Sequence, residues 1–424
     1  MLIHWVWLSL KQPVTDRMKR ALLSCFSDAE AIFCAGPAEY KAVPELTEEA
    51  VDSLCDKDLQ EAQKTMAWCR AEEVFLLSYS DSRYPQRLKS IPDPPVLLYY
   101  KGTLPDFDAL PAIGVVGTRQ ASAYGLQTAK RLGYQLARCG GLVVSGLAAG
   151  IDAMAMSGAL MAGGTVVGVL GCGVDRIYPA SNRRLYQDTQ RYGCILSEFP
   201  MGTPPLKQNF PRRNRIVSGL SCGVLVVEAP EGSGALITAG RALDQGRDVF
   251  VVPGNIDNPC CAGSNRLLRD GAGAVSSGWD ILCEYEGRFP GKLKNAGDEN
   301  VVSHPERELA IASPEPEKHP QKKPRTRASG KENPSSGNGS DKKVVDKQHS
   351  EPYIDLNDTL TRLSADERTL VEAVQSGERL VDDVIAQTGL TTGKLLAAMT
   401  MLELKGIISR LPGKRIALRR RISK

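Results

Sequence analysis

The chain has 424 residues, of which 42% are apolar and 24% charged, a globular balance with room for two or three domains. No apolar run approaches the ~20 residues of a membrane span, and the apolar Met1–Leu10 lacks the basic stretch and cleavage site of a signal peptide. Only four histidines occur: His4, and His304, His319 and His349 in a polar segment far along the chain. A Ser-His-Asp triad, a histidine acid/base or a histidine-bound zinc is thereby excluded from the main domain, and no metal is expected. The eleven cysteines include no CxxC pair, which suits the reduced thiols of a cytoplasmic protein.

The net charge of +4 is small, but it is unevenly spread. Residues 1–290 carry 29 basic and 30 acidic groups, residues 291–350 carry 12 and 9, and residues 351–424 carry 12 and 10. Positive potential is therefore local. Lys207–Arg215 holds four basic groups and no acid, and Lys405–Lys424 holds eight and no acid. Phosphate binding depends on such clusters more than on the overall balance.

In chain order, residues 1–75 read as short helices over Thr15–Phe26, Asp28–Cys34, Thr47–Leu54 and Lys57–Arg70, with polar caps. Val74–Tyr79 and Val96–Lys101 are strand candidates, joined by a proline-rich stretch expected to be extended. Residues 111–290 hold 28 of the 40 glycines. Within them, apolar runs at Ile113–Val116, Leu142–Val144, Val166–Leu170, Cys194–Leu196, Val224–Val227 and Val249–Val252 alternate with helical segments. The helical segments are Ala123–Arg138, Ile151–Met161, Ser181–Arg191, Asn214–Gly219 and Ala235–Gln245. Strands covered by helices on both faces read as continuous β-branched runs, so the fold class is α/β with a doubly wound parallel sheet.

Residues 291–352 are rich in Pro, Ser, Lys and Glu and are expected to form a disordered linker. From 353 to 424, three helical segments (Asp366–Gln375 behind a Ser364–Glu367 capping box, Val381–Thr388 and Thr391–Leu404) precede a hairpin of Ile407–Arg410 and Arg415–Leu418. Three helices and a hairpin make a winged helix-turn-helix, here with a basic tail.

In an open α/β sheet, ligands bind beyond the carboxyl ends of the strands. Four glycine turns have the right form: Gly117-Thr118-Arg119, Ser145-Gly146 to Gly150, Gly171-Cys-Gly173, and Glu228–Thr238, which contains Ser233, Gly234 and Thr238. Neither GxGxxG nor GxxxxGK[ST] occurs, so no dinucleotide or nucleoside triphosphate cofactor is expected. The segment Lys207-Gln-Asn209-Phe210-Pro-Arg212-Arg213-Asn214-Arg215 interleaves cations with an aromatic. Single-stranded nucleic acid needs that combination: stacking worth ~1–3 kcal/mol per base, and cations on phosphates. Arg215 is read as the structural member, anchoring a helix.

These stretches, together with Gly171–Pro179, Ser197–Pro200, Asn209–Ser221, Ser233–Ala239 and Gly246–Gly254, resemble the DprA/Smf family of DNA-processing proteins along nearly the whole chain. The resemblance implies an extended Rossmann-like domain over 76–290, preceded by a helical, SAM-like domain and followed by the winged helix. It further implies a non-catalytic cytoplasmic protein that binds and protects single-stranded DNA, forms a homodimer through the Rossmann domain, and helps load the RecA recombinase in natural transformation. The DNA pocket it implies comprises Arg119, Lys207, Phe210 and their neighbours, with Ser145 and Gly146 on the same side. Two departures stand out. Ala155-Met156 replaces the family's Ala-His, and Lys11-Gln-Pro-Val14 replaces a glycine-rich hairpin.

Two other functions compete with this one. A LOG-like nucleotide phosphoribohydrolase would use a glycine motif followed by a helical carboxylate, and Gly232–Arg241 lacks that acid. A winged-helix transcription regulator with a ligand-sensing sheet would bind duplex DNA by sequence.

Overall fold

The apolar runs of the glycine-rich region form the centre of one nine-stranded sheet. The computed structural model describes residues 1–297, 307–312, 364–374, 379–388, 390–404, 407–411 and 415–418. It divides into two units, Met1–Pro320 and Gln321–Lys424. The strands of the first unit are β1 (Phe75–Ser78), β2 (Leu97–Gly102), β3 (Ala112–Val116), β4 (Leu142–Ser145), β5 (Val166–Val169), β6 (Cys194–Ser197), β7 (Gly223–Val226), β8 (Asp248–Val251) and β9 (Gly273–Ala274). Their order is β1-β2-β6-β5-β4-β3-β7-β8-β9. The pairings from β6 to β9 are parallel, whereas β1 and β2 join the β6 edge antiparallel.

Side-chain alternation sorts these strands between two apolar layers. Ile113 and Val115 of β3 enter one cluster, and Ala112 and Val116 enter the other. Both layers are covered, which is why the strands read as unbroken apolar runs. The order reverses at β3, with β4 on one side and β7 on the other. This is the topological switch point where such sheets place ligands.

Six helices precede the sheet: α1 (Leu2–Leu10), α2 (Asp16–Cys25), α3 (Ala29–Cys34), α4 (Pro37–Lys41), α5 (Glu48–Cys55) and α6 (Gln60–Ala71). Helix α1 went unread in the sequence because it is apolar on nearly every side. Its Trp5, Trp7 and Leu8 are buried in the same core that holds Tyr99 and Ile113. The proline-rich connection between β1 and β2, expected to be wholly extended, contains one short helix, α7 (Gln86–Lys89). The remaining helices of this unit are α8 (Ala123–Arg138), α9 (Ile151–Met161), α10 (Arg183–Tyr192), α11 (Asn209–Leu220), α12 (Gly234–Asp244), α13 (Ala262–Arg269) and α14 (Trp279–Leu282).

Part of the stretch read as linker is packed. Lys294 donates its backbone N–H to the Cys139 carbonyl, and the backbone of Ala310 and Ile311 bonds to the Asp188 carboxylate while Leu309 is buried. The expectation of disorder for 298–306 and 313–352 lies outside the described residues.

The second unit holds α15 (Ala365–Val374), α16 (Val381–Thr388) and α17 (Thr392–Leu404). A three-stranded sheet of β10 (Arg379–Leu380), β11 (Ile408–Leu411) and β12 (Arg415–Leu418) completes it. The capping box forms as expected: Ser364 N–H meets the Glu367 carboxylate at 2.8 Å, and Glu367 N–H meets Ser364 Oγ at 3.3 Å. The hairpin turn 412–414 and the tail 419–424 lie outside the described residues. No helix among the described residues is long and apolar enough to cross a membrane.

Candidate nucleic-acid interface

The carboxyl ends of β3, β4 and β5 and the first turn of α11 enclose a pocket of about 220 Å³. Its lining includes Arg119, Gly146, Gly171, Tyr178, Phe210 and Arg213. Arg119 is exposed, and its guanidinium stands 5.1 Å from the Phe210 ring centroid. Tyr178, 38% exposed, lies 5.5 Å from Phe210 with the rings tilted by 37°. Phe210 is half-buried because Gly171 lets it settle onto the turn after β5; a Cβ there would come within 3.0 Å of the ring. The result is an aromatic pair and an exposed cation over a glycine floor.

The basic-aromatic segment is helical rather than a loop from Asn209 onward. Pro211 falls in the first turn of α11, where a missing N–H costs nothing. The helix sorts its residues by direction. Phe210 and Arg213 face the pocket, whereas Arg212 and Arg215 turn toward α2 and pair with Asp16 at 2.7 and 2.8 Å. Arg215 is 2% exposed and also meets Glu198 at 2.6 Å and Asp93 at 3.2 Å. Lys207 is exposed in the turn leading into α11, outside the pocket lining.

Arg213 is not a free cation. It is buried, and its Nη1 donates to the Gly146 carbonyl at 2.7 Å and also to the Val169 carbonyl, tying the ends of β4 and β5 together. Burial pushes its pKa down to about 10 against the opposing pull of Asp152. Gly146 is required here because a Cβ would stand 2.5 Å from the Arg213 guanidinium.

The other sequence-derived residues have structural partners. Gly117 admits Ile151 of α9, which a Cβ would meet at 2.5 Å. Thr118 Oγ1 accepts from Gln120 N–H at 3.2 Å, and buried Ser145 donates to the Val115 carbonyl at 2.6 Å. Gly173 sits where a Cβ would approach Asp175 Oδ1 at 2.4 Å. Asn209 is buried, its amide 3.4 Å from the Pro204 carbonyl, and Asn214 donates to the Gly234 carbonyl at 3.3 Å. Ser233 caps α12 through Ala235 N–H, and buried Thr238 donates back to Gly234.

Three of the four glycine turns meet in the pocket, and the turn after β7 is absent from its lining. The first residue of that turn has partners elsewhere. Glu228, fully buried at the switch point, accepts from Ser122 N–H at 2.9 Å and from Ser122 Oγ at 2.5 Å, while its carbonyl accepts from Thr118 N–H at 2.7 Å. The position at the start of α8 that would attract a phosphate thus already holds the chain's own carboxylate. Tyr178 was missed, although it lies within the family-like Gly171–Pro179 stretch.

The profile described as DNA recombination-mediator protein A matches residues 75–286, from β1 to just beyond α14. The chain belongs to that family. The profile of the DprA winged helix domain matches residues 356–414. Protein Smf of Synechocystis is 37% identical over 343 residues, covering 80% of this chain and 79% of that protein. The DNA processing protein DprA of Bacillus subtilis is 43% identical over 225 residues, covering 53% of this chain and 76% of its own length. The X-ray structure of DprA from Streptococcus pneumoniae superposes with a TM-score of 0.60 at 34% identity, covering 67% of this chain and 98% of that one. The family is named for mediating recombination and processing DNA, not for a catalysed reaction.

Proposed function

We propose that this family member binds single-stranded DNA across the carboxyl edge of its sheet, with the Arg119–Phe210 pair as the centre of the site. The observation that carries the reading is an exposed guanidinium 5.1 Å over a half-buried ring beside the exposed Tyr178. Bases have π-faces to stack on Phe210 and Tyr178, and phosphates have Arg119 and Lys207 to neutralise them. Pocket side chains that could read base edges are few, so sequence dependence is weak. The occupied switch point favours this reading over a nucleotide-hydrolysing one: Glu228 fills the phosphate position and is held by Ser122.

Membership of a family described as recombination mediators supports further parts of the proposal. The bound strand is protected and passed to the RecA recombinase during transformation or other recombination, in the cytoplasm, by a homodimer formed through the sheet unit. Two measurements address these parts: RecA filament assembly on strands pre-coated with this protein, and the mass of the free protein in solution. The test of binding itself is a salt titration with single-stranded, duplex and RNA oligomers of equal length. Preference for single-stranded DNA, with log affinity falling linearly in log salt, supports the reading. Equal affinity for duplex would overturn it.

A further inference from the structure

A second and larger cleft, about 830 Å³, opens on the opposite flank of α11, between α2 and α12. Its rim carries Arg17, Arg20, Arg212 and Arg241, drawn from three helices. Three carboxylates also line it, Asp16, Glu45 and Asp93. Their commitments decide its character. Asp16 is 12% exposed and turned inward to Arg212 and Arg215, and Asp93 meets Arg215 Nε. Buried Lys19 and Arg215 add two cations behind this wall, against the buried Glu198.

Two arginines keep their charge unspent. Arg20 is exposed and, among the described residues, its side chain donates only to the neutral Ile91 carbonyl at 2.8 Å. Arg241 is exposed on α12 and has no ion-pair partner among the described residues. Arg17 pairs with Glu45, but the two side chains are 77% and 43% exposed, and such pairs contribute at most ~1 kcal/mol and yield readily to another anion. Even Arg212 remains 45% exposed beyond its contact with Asp16. The cleft therefore offers several guanidinium forks to an extended polyanion, within a region of the chain that is net acidic overall.

The position of the cleft selects the polyanion. Phe210 and Arg212 are two residues apart on one helical turn, so the stacking pocket and the cleft lie on opposite flanks of the start of α11, with exposed Lys207 just before it. A helix is ~10–12 Å across, a span of about three stacked nucleotides. We propose that the cleft takes the continuing phosphate backbone of the same single strand after it crosses Lys207, making the N-terminal helices part of the DNA-binding surface. This rests on the pocket reading above and extends it.

The test compares oligothymidylates of about four and about twenty nucleotides on the full chain, since the shorter can fill the pocket but cannot cross α11 into the cleft. For the double variant Arg20→Ala/Arg241→Ala, affinity for the long oligomer should fall about tenfold and its salt slope should shrink by ~1.4, with the short oligomer unaffected. The variant Arg17→Gln/Arg241→Gln, which leaves the Ile91 contact in place, should behave likewise, and the thermal midpoint of each shows that it is folded. Unchanged long-oligomer affinity and slope in both folded variants would overturn the proposal, whatever else the cleft holds. Failure of the wild type to bind either oligomer would instead overturn the pocket reading.

Discussion

Arg119 and Phe210, about ninety positions apart in sequence, meet with the guanidinium 5.1 Å over the ring. The parallel sheet brings this about. The turn after β3 and the start of α11, which leads into β7, both emerge at the same carboxyl edge, and β3 and β7 are neighbours. The contact itself contributes ~0.5–1 kcal/mol at an exposed site, so its role is to position two different binding chemistries side by side.

Those chemistries separate by salt. Arg119→Ala and Lys207→Ala should each weaken single-strand binding and reduce the salt slope by ~0.7, because each removes one phosphate contact. Both side chains are exposed, so thermal midpoints should stay within a degree or two of wild type. A weakened affinity with an unchanged slope would show that the residue does not touch phosphate.

Arg213 should behave otherwise. Its buried guanidinium bonds to the ends of β4 and β5, so Arg213→Ala leaves unpaired carbonyls and an unbalanced Asp152. A loss of about 3 kcal/mol is expected, roughly 5 °C in thermal midpoint for a unit of this size. Gly146→Ala should also destabilise, since its Cβ would strike the same guanidinium. Calorimetry that finds Arg213→Ala as stable as wild type contradicts this assignment.

The cluster of Asp16, Arg212, Arg215 and Glu198 joins the N-terminal helices to α11. Burial raises the Asp16 pKa, but Arg215, Lys19 and Arg212 outweigh it and hold the carboxyl below its usual 3.8. A depressed folded value means that the stabilisation is complete above the unfolded value and is lost as pH falls through the folded one. Asp16→Asn should therefore lower the thermal midpoint at neutral pH, with the gap from wild type closing below about pH 4. Parallel curves down to pH 2 would refute the linkage.

Gly125, in the first turn of α8, offers a test of the filled switch point. Replacing an ordinary helical glycine by alanine stabilises by roughly 0.5–1 kcal/mol. Here the new Cβ would stand 2.2 Å from Glu228 Oε2, so Gly125→Ala should destabilise instead. In a Glu228→Ala background its effect should revert toward the ordinary sign. Additive effects in the double-mutant cycle would mean that the two residues do not share that space.

The sheet was legible because burial on both faces leaves the central strands almost wholly apolar, with polar residues only at their ends, and glycine marks the turns. The winged helix was legible from its capping box and from the periodicity of α16 and α17. What escaped was whatever depends on direction in space. Helix α1 has no polar face to give it a period, and Pro211 concealed the true start of α11. Lys207, Arg212, Arg213 and Arg215 look alike as a charge run, yet Lys207 stays exposed in the turn before α11 while helical geometry sends one arginine to the cleft wall and two into the interior. Glu228 was hidden for a related reason: an acid beside an apolar strand gives no sign that a helix start will enclose it.

The most direct measurement is single-strand affinity of Phe210 variants across a salt series, with thermal midpoints alongside. Phe210→Ala should lose ~1–3 kcal/mol of binding with an unchanged salt slope and a native-like midpoint, and Phe210→Trp should retain binding while Phe210→Leu does not. If Phe210→Ala melts early while its folded fraction binds single strands normally, Phe210 is a packing residue and the stacking site at the sheet edge is contradicted.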